Sequence, residues 1–334
     1  MSNRKVNKND YLFLSALIRA REAKMPAREA FERMLDAPDF DECARICTEF
    51  GYPDMSGMDL SEVNTTLADR FAQLLTELEQ AVPEKCIIDA FRVKYDYHNA
   101  KVMIKSRAAD VDGEHLLSGA GRVSPAKIMD AFNEDDYSDL PEDLASAMEQ
   151  ARGILARTGN PQLCDVFLDK AYFAELHSLA RQESSGFLSG YVRLLTDSAN
   201  LRTFVRCARM EKDSEFLKSV LMDGGSVDTA GLIAARRENE GPAELYSSTG
   251  LAGCAQAGEL VISSGSLTEF ELLCDNAVID YLADARMSSF GPEPVIAYLA
   301  AAEQEVMNLR MILLGKFSGT APDTIRERLR ETYA

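Results

Sequence analysis

One short pattern occurs three times in this chain: Asp96-Tyr-His-Asn99-Ala-Lys101, Asp197-Ser-Ala-Asn200-Leu-Arg202 and Glu305-Val-Met-Asn308-Leu-Arg310. The asparagines are 101 and 108 residues apart, so the chain reads as three repeats of about 100 residues each, a usual domain size. The implied division is 1–110, 111–215 and 216–334. Each copy lies inside a long helical pattern, yet Asn is a poor helix former. An Asn placed mid-helix three times needs a tertiary reason, and the reason expected is a side-chain amide hydrogen-bonded to a neighbouring helix. The acid three positions earlier shares its helix face. Triplication points to an interaction body more than to a single catalytic pocket.

A second, looser repeat supports the first. Phe167-Leu-Asp169-Lys-Ala-Tyr172 is similar to Leu273-Cys-Asp275-Asn-Ala-Val278. Asp169 precedes Asn200 by 31 residues and Asp275 precedes Asn308 by 33. The first third offers only Ser61-Glu62-Val-Asn-Thr-Thr-Leu67 in that place.

Helix signals dominate. Phe13, Leu14, Leu17 and Ile18 keep the 3.6 period after Asp10. Pro26 opens a segment to Leu35. Asp39 with Glu42, and Asp59 with Glu62, have capping-box spacing, and Gly51 suits the position after a helix. Pro83 marks a break before one long helix over 84–109. The stretch 111–121, with Gly113, Gly119 and Gly121, reads as a linker. Ser124-Pro125 reads as a cap followed by a first-turn proline. A helical pair is expected over 161–182 and 186–210. Breakers cluster at Gly224-Gly225 and Gly241-Pro242, the small-residue stretch 250–265 has no clear pattern, and helices resume near Thr268. Alternating β-branched runs are few, so the fold class is all-α.

The chain has 334 residues, 46% hydrophobic, and a net charge of −18. The consecutive segments 1–110, 111–210 and 211–334 carry net charges of −3, −5 and −10. None has the excess of cations that a nucleic-acid partner demands. The seven cysteines are odd in number and form no CxxC pair, which argues for reduced thiols over a zinc or disulfide framework. The first residues lack a signal-peptide core, and no stretch approaches the roughly 18 apolar residues of a bilayer span. Direct insertion into lipid is therefore not expected.

Asp135-Asp136-Tyr-Ser-Asp139 matches the DDxxD pattern that holds magnesium and a diphosphate in isoprenoid-type helical enzymes. Here Pro141 and Glu142 follow, so the segment reads as a helix start with Asp139 as its cap, and no second acidic cluster accompanies it. His98, His115 and His177 share no spacing with a nucleophile. Cys43 and Cys47 share a helix face but would need two further metal ligands. No glycine cluster forms a phosphate loop. Catalytic, cofactor-binding and metal residues are accordingly expected to be none.

In these residues the chain resembles the C subunits of the V-type (archaeal and bacterial A/V-type) ATP synthases, the counterparts of the d subunit in vacuolar ATPases. The matching stretches run in family order: Tyr11 with Ala16-Leu-Ile-Arg19, Tyr95-Asp96 through Asn99 to Lys101, Asp169 to Tyr172, Asp197 to Arg202, Glu305 through Asn308-Leu-Arg310 to Lys316, and Ile325 to Tyr333. Residues 111–160 and 217–265 carry no such signature. The resemblance implies a funnel of three similar helical-bundle domains and a non-catalytic coupling role. In that family the C subunit sits between the D and F subunits of the central stalk and the membrane rotor ring, on the cytoplasmic side, and transmits torque for proton or Na+ transport, so the resemblance implies the same here. Tyr95, Asp96, Asn99, Lys101, Asp169, Tyr172, Asp197, Asn200, Arg202, Asp275, Glu305, Asn308 and Arg310 are then fold signatures with no chemical role. The alternatives are a helical scaffold or adaptor unrelated to the ATPase, and a Mg-dependent isoprenoid-type enzyme.

Overall fold

The computed structural model describes residues 6–333. Among them every regular element is helical. The α-helices in chain order are α1 (Leu12–Glu22), α2 (Arg28–Asp36), α3 (Phe40–Cys47), α4 (Leu60–Glu79), α5 (Lys85–Ala109), α6 (Pro125–Glu134), α7 (Glu142–Thr158) and α8 (Pro161–Ala180). They continue with α9 (Phe187–Arg209), α10 (Ser214–Val220), α11 (Thr229–Glu238), α12 (Ala243–Tyr246), α13 (Ala252–Ser263), α14 (Leu267–Ala283), α15 (Pro292–Phe317) and α16 (Pro322–Arg326). No helix among the described residues is long and apolar enough to cross a membrane.

Local chemistry explains many of the helix ends. Asp59 accepts from the N–H groups of Ser61 and Glu62 while Glu62 accepts from Asp59 N–H, a complete capping box at the start of α4. Asp39 accepts from Glu42 N–H at α3, without the reciprocal bond. Ser124 caps α6, whose first residue is Pro125. Gly51 closes the turn after α3 with φ +83°, a conformation that suits glycine. Asp10 completes a capping box with Asn7 on a short 3-10 turn, Lys8–Tyr11, just before α1. One expectation needs correction. Asp139 does not cap α7, whose N-cap is Pro141 with no side-chain bond. The patternless stretch at 250–265 contains α13, where Cys254, Ala255, Gly258 and Val261 make the buried face.

The chain forms two compact units, Met1–Lys85 with Gly250–Ala334, and Cys86–Thr249. The first is assembled from both ends of the sequence. Its centre is α15, which packs on α1, α2, α3, α4, α14 and α16. Surrounded in this way, α15 has no broad polar face over its first turns, and Val295 to Ala302 are all buried. Polar bonds join the two chain segments. Arg19 of α1 donates to Ala285 O and Ser288 O beyond α14 (3.1 and 2.8 Å), and Lys316 donates to Ala37 O (2.6 Å).

The second unit holds α6 to α12 and all of α5 but its first residue. Within it α8 packs on α7 and α9, and α9 also meets α10 and α11. Side chains tie α5 into this group: Phe91 stacks near Tyr191 (6.2 Å between centroids) and Tyr97 near Tyr172 (6.0 Å). Compactness thus cuts the chain near residues 85 and 250. The three consecutive repeats are a different partition, one of sequence equivalence.

Candidate functional site: asparagine clamps on three helices

Asn99, Asn200 and Asn308 lie in α5, α9 and α15, and all three are buried. Each amide faces a non-helical segment further along the chain, not a neighbouring helix. Asn99 Nδ2 donates to Ser118 O (2.9 Å) and Ser118 N–H donates to Asn99 Oδ1 (2.8 Å). Asn200 makes the same pair with Met222, both bonds 2.8 Å. Asn308 makes it with Arg330, at 3.1 and 3.2 Å. A carboxamide carries one donor face and one acceptor face, as a peptide group does. It can therefore satisfy both backbone groups of one residue at once, the arrangement of a hydrogen-bonded pair in an antiparallel ladder. Segments 118, 222 and 330 lie outside helices, so their backbone groups have no ladder partners of their own and the asparagine supplies them.

The acid three residues earlier completes the clamp in two copies. Asp96 accepts from the N–H groups of Arg122 and Val123 (2.9 and 3.1 Å). Asp197 accepts from those of Ser226 and Val227 (3.0 and 3.1 Å). The register is identical, since the carboxylate takes the fourth and fifth N–H beyond the residue held by the asparagine. The residue just before those two N–H groups is glycine in both, Gly121 and Gly225. A Cβ there would stand 2.4 Å from Asp96 Oδ1 and 2.2 Å from Asp197 Oδ1. Ser124 and Asp228 follow as caps of α6 and α11. The sequence alone presents these stretches as a linker and a breaker zone. The signal is nonetheless there, as Gly121-Arg-Val-Ser124 against Gly225-Ser-Val-Asp228.

The first clamp is also electrostatic. Arg122 Nε donates to Asp96 and Nη1 donates to Glu175 (both 2.6 Å), and Glu175 accepts from Tyr97 OH (2.9 Å). Burial pushes the Asp96 carboxyl above its ordinary value, against the opposing pull of Arg122. Burial also opposes the charge on Arg122, but its bonds to Glu175 and Asp96 more than offset that.

The third copy departs from this plan. Glu305 accepts from Tyr52 OH (2.6 Å) and lines a cleft of about 650 Å³ with Arg21, Arg70 and Tyr298. Burial pushes its carboxyl from 4.5 up to about 7, partly opposed by Tyr52 and Arg70.

The remaining signature residues spread over both units. Lys101 pairs with Asp169, and Tyr172 packs on Tyr97 and Phe173. Asp275 accepts from Arg330 Nε (2.6 Å), the residue whose backbone Asn308 holds. The Lys94 ammonium lies over the Tyr95 ring at 5.0 Å. Arg202 and Arg310 bury their Nε atoms. Asp135, Asp136 and Asp139 occupy the loop between α6 and α7. There Asp135 pairs with Arg152 (2.5 Å) and Asp136 accepts from Ser138 N–H (3.0 Å). Among the described residues no three His, Cys, Asp or Glu side chains cluster as a metal site would need. All seven cysteines are buried and none is in a disulfide, and burial raises the thiols of Cys43 and Cys47 to about 12.

Three asparagine clamps thus fasten non-helical segments onto helix bodies. The sequence model of the ATP synthase (C/AC39) subunit family matches residues 14–328. The chain is 25% identical to the C subunit of the V-type sodium ATPase of Enterococcus hirae, over 97% of this chain and 99% of the relative. It is 24% identical to the C subunit of the A-type ATP synthase of Haloquadratum walsbyi (94% and 96%) and 23% to that of Methanosarcina acetivorans (98% and 94%).

Proposed function

Because this chain belongs to the ATP synthase (C/AC39) subunit family, we propose that it is the non-catalytic coupling subunit of a V/A-type rotary ATPase, joining the central stalk to the membrane rotor ring. The observation that carries the reading is the match along nearly the whole chain, with C-subunit relatives covered almost end to end. The clamps fit the mechanical demand. A body that transmits torque must not let its loops slip against its helices, and the segments after α5, α10 and α16 are each held by a two-bond amide from α5, α9 and α15. In this reading the Asn residues mark three equivalent repeats of a funnel-shaped body, and the signature residues serve the fold. The partners are the D and F subunits of the stalk and the ring, which would hold the protein at the cytoplasmic face of the membrane. The complex moves protons or Na+. Affinity purification from native membranes, with mass spectrometry of the bound proteins, tests the assignment. Stalk and ring proteins are expected in stoichiometric amounts, and their absence from a preparation that retains an intact ATPase would overturn it.

A further inference from the structure

A cleft of about 450 Å³ within the Cys86–Thr249 unit collects cations in a protein that has 54 acidic and 36 basic side chains. Three of its lining residues, Lys170, Ala174 and His177, lie at i, i+4 and i+7 on α8, and Arg181 follows at i+11. They form a single stripe along one helix face. Ala174 leaves the hollow between the longer side chains. Arg193 of α9 closes a second side. The loop at Gly224 closes the third, with φ +97° and so close that a Cβ there would stand 2.6 Å from His177 Nε2.

The cations around this cleft make no ion pair among the described residues, while the other charged side chains of the same helix do. Asp165 pairs with Lys105, Asp169 with Lys101 and Glu175 with Arg122. Lys170, Arg181 and Arg193 have no ion-pair partner among the described residues. Like charges on one helix face repel unless a counter-charge lies between them. Asp223, at the exposed rim, is the single carboxylate lining the cleft. His177 reports the same field. Burial, then the charges of Arg181 and Arg193, hold its imidazole below the ordinary value, against a weaker pull from Asp197. The Thr196 hydroxyl donates to Val192 O (2.8 Å), so His177 Nε2 is the donor to Thr196 Oγ1 (2.9 Å). The neutral ring therefore keeps Nδ1 unprotonated.

We propose that this cleft is a binding site for a phosphate-class oxyanion, held by Lys170, Arg181 and Arg193, with His177 gaining a proton as the anion enters. Guanidinium forks match the oxygen geometry of phosphate, and Lys170 adds a point charge. The anion offsets the positive field of Arg181 and Arg193 that adds to burial in holding His177 neutral, so binding and protonation reinforce each other. This site is independent of the coupling reading and stands or falls without it.

The test uses the full chain, with pyrophosphate as the probe. The His177 imidazole signals, assigned with His177→Gln, are followed by NMR during titration at constant ionic strength, with chloride as the control. A saturable shift and a raised His177 pKa are expected with pyrophosphate and not with chloride. Arg181→Gln with Arg193→Gln should weaken binding by at least about tenfold, whereas Arg181→Lys with Arg193→Lys, which keeps the charge, should weaken it less. Asp223→Asn should tighten binding. Circular dichroism confirms that each variant folds. Sedimentation with phosphatidylglycerol vesicles separates the sources: retention that pyrophosphate reverses identifies a lipid headgroup, and pyrophosphate binding without retention identifies a soluble phosphate compound. No saturable shift at millimolar pyrophosphate, or equal affinity in the folded Gln variants, would overturn the site.

Discussion

Asn200 holds Met222 by both of its backbone groups, N–H to Oδ1 and C=O to Nδ2, each at 2.8 Å. One side chain thereby does what a neighbouring strand would do for that residue. Removing the amide strands two backbone groups at once. Asn200→Leu should destabilise the protein by about 1–3 kcal/mol, the cost of leaving buried polar groups unpaired. Asn308→Leu should cost less, because its bonds to Arg330 are 3.1 and 3.2 Å. Urea melts that monitor each compact unit give both values, and a larger loss at Asn200 than at Asn308 is the prediction.

Gly225 and Asp197 should be coupled. A methyl group at Gly225 would meet Asp197 Oδ1 at 2.2 Å, and the carboxylate cannot retreat without losing its bonds to Ser226 and Val227. Gly225→Ala should therefore be costly alone and much less so on an Asp197→Ala background. The double-mutant cycle should give about 1–3 kcal/mol of coupling. Additive effects would show that the close approach carries no energy.

Glu305 gives a pH signature. Its carboxyl is raised from 4.5 to about 7, chiefly by burial, so the folded state holds the proton more tightly than the unfolded chain does. That contribution is full below the unfolded value and is lost as pH rises through about 7. Tyr52, Arg70, Tyr298 and Cys47 are the groups facing it. Stability should fall by about 2–3 kcal/mol between pH 5 and pH 8, and Glu305→Gln should flatten that part of the profile. Denaturant melts at the two pH values measure it.

Much of this fold was legible in the sequence. The capping chemistry at Asp39, Asp59 and Ser124 sets helix starts through local bonds, and the recurring Asn pointed to a buried amide. The partner of that amide was not legible. It lies 19 residues ahead of Asn99 and 22 ahead of Asn200 and Asn308, in segments with no periodicity, and only the fold brings them back. The glycines at 121 and 225 looked like breakers because a close approach to a carboxylate leaves no local mark. The discontinuous unit was hidden for a related reason. The contacts of α15 with α1 to α4 span more than 200 residues, and repeat spacing says nothing of them.

The acidic loop between α6 and α7 should be dispensable. Asp135 adopts φ 59°, which Asn tolerates as well as Asp does, and its bridge to Arg152 is half-exposed. Converting Asp135, Asp136 and Asp139 together to Asn should change stability by no more than about 1 kcal/mol and leave ATP-driven transport intact. Loss of transport in a normally folded triple variant would restore the magnesium reading of that cluster.

The most direct measurement compares ATP hydrolysis with ATP-driven ion transport in cells lacking this gene. A coupling protein contributes no chemistry, so the catalytic head should still hydrolyse ATP, while vesicles from those cells should fail to accumulate protons or Na+. Adding back the purified chain should restore transport. Normal transport in the deletion, or loss of hydrolysis in the isolated head, would contradict the account.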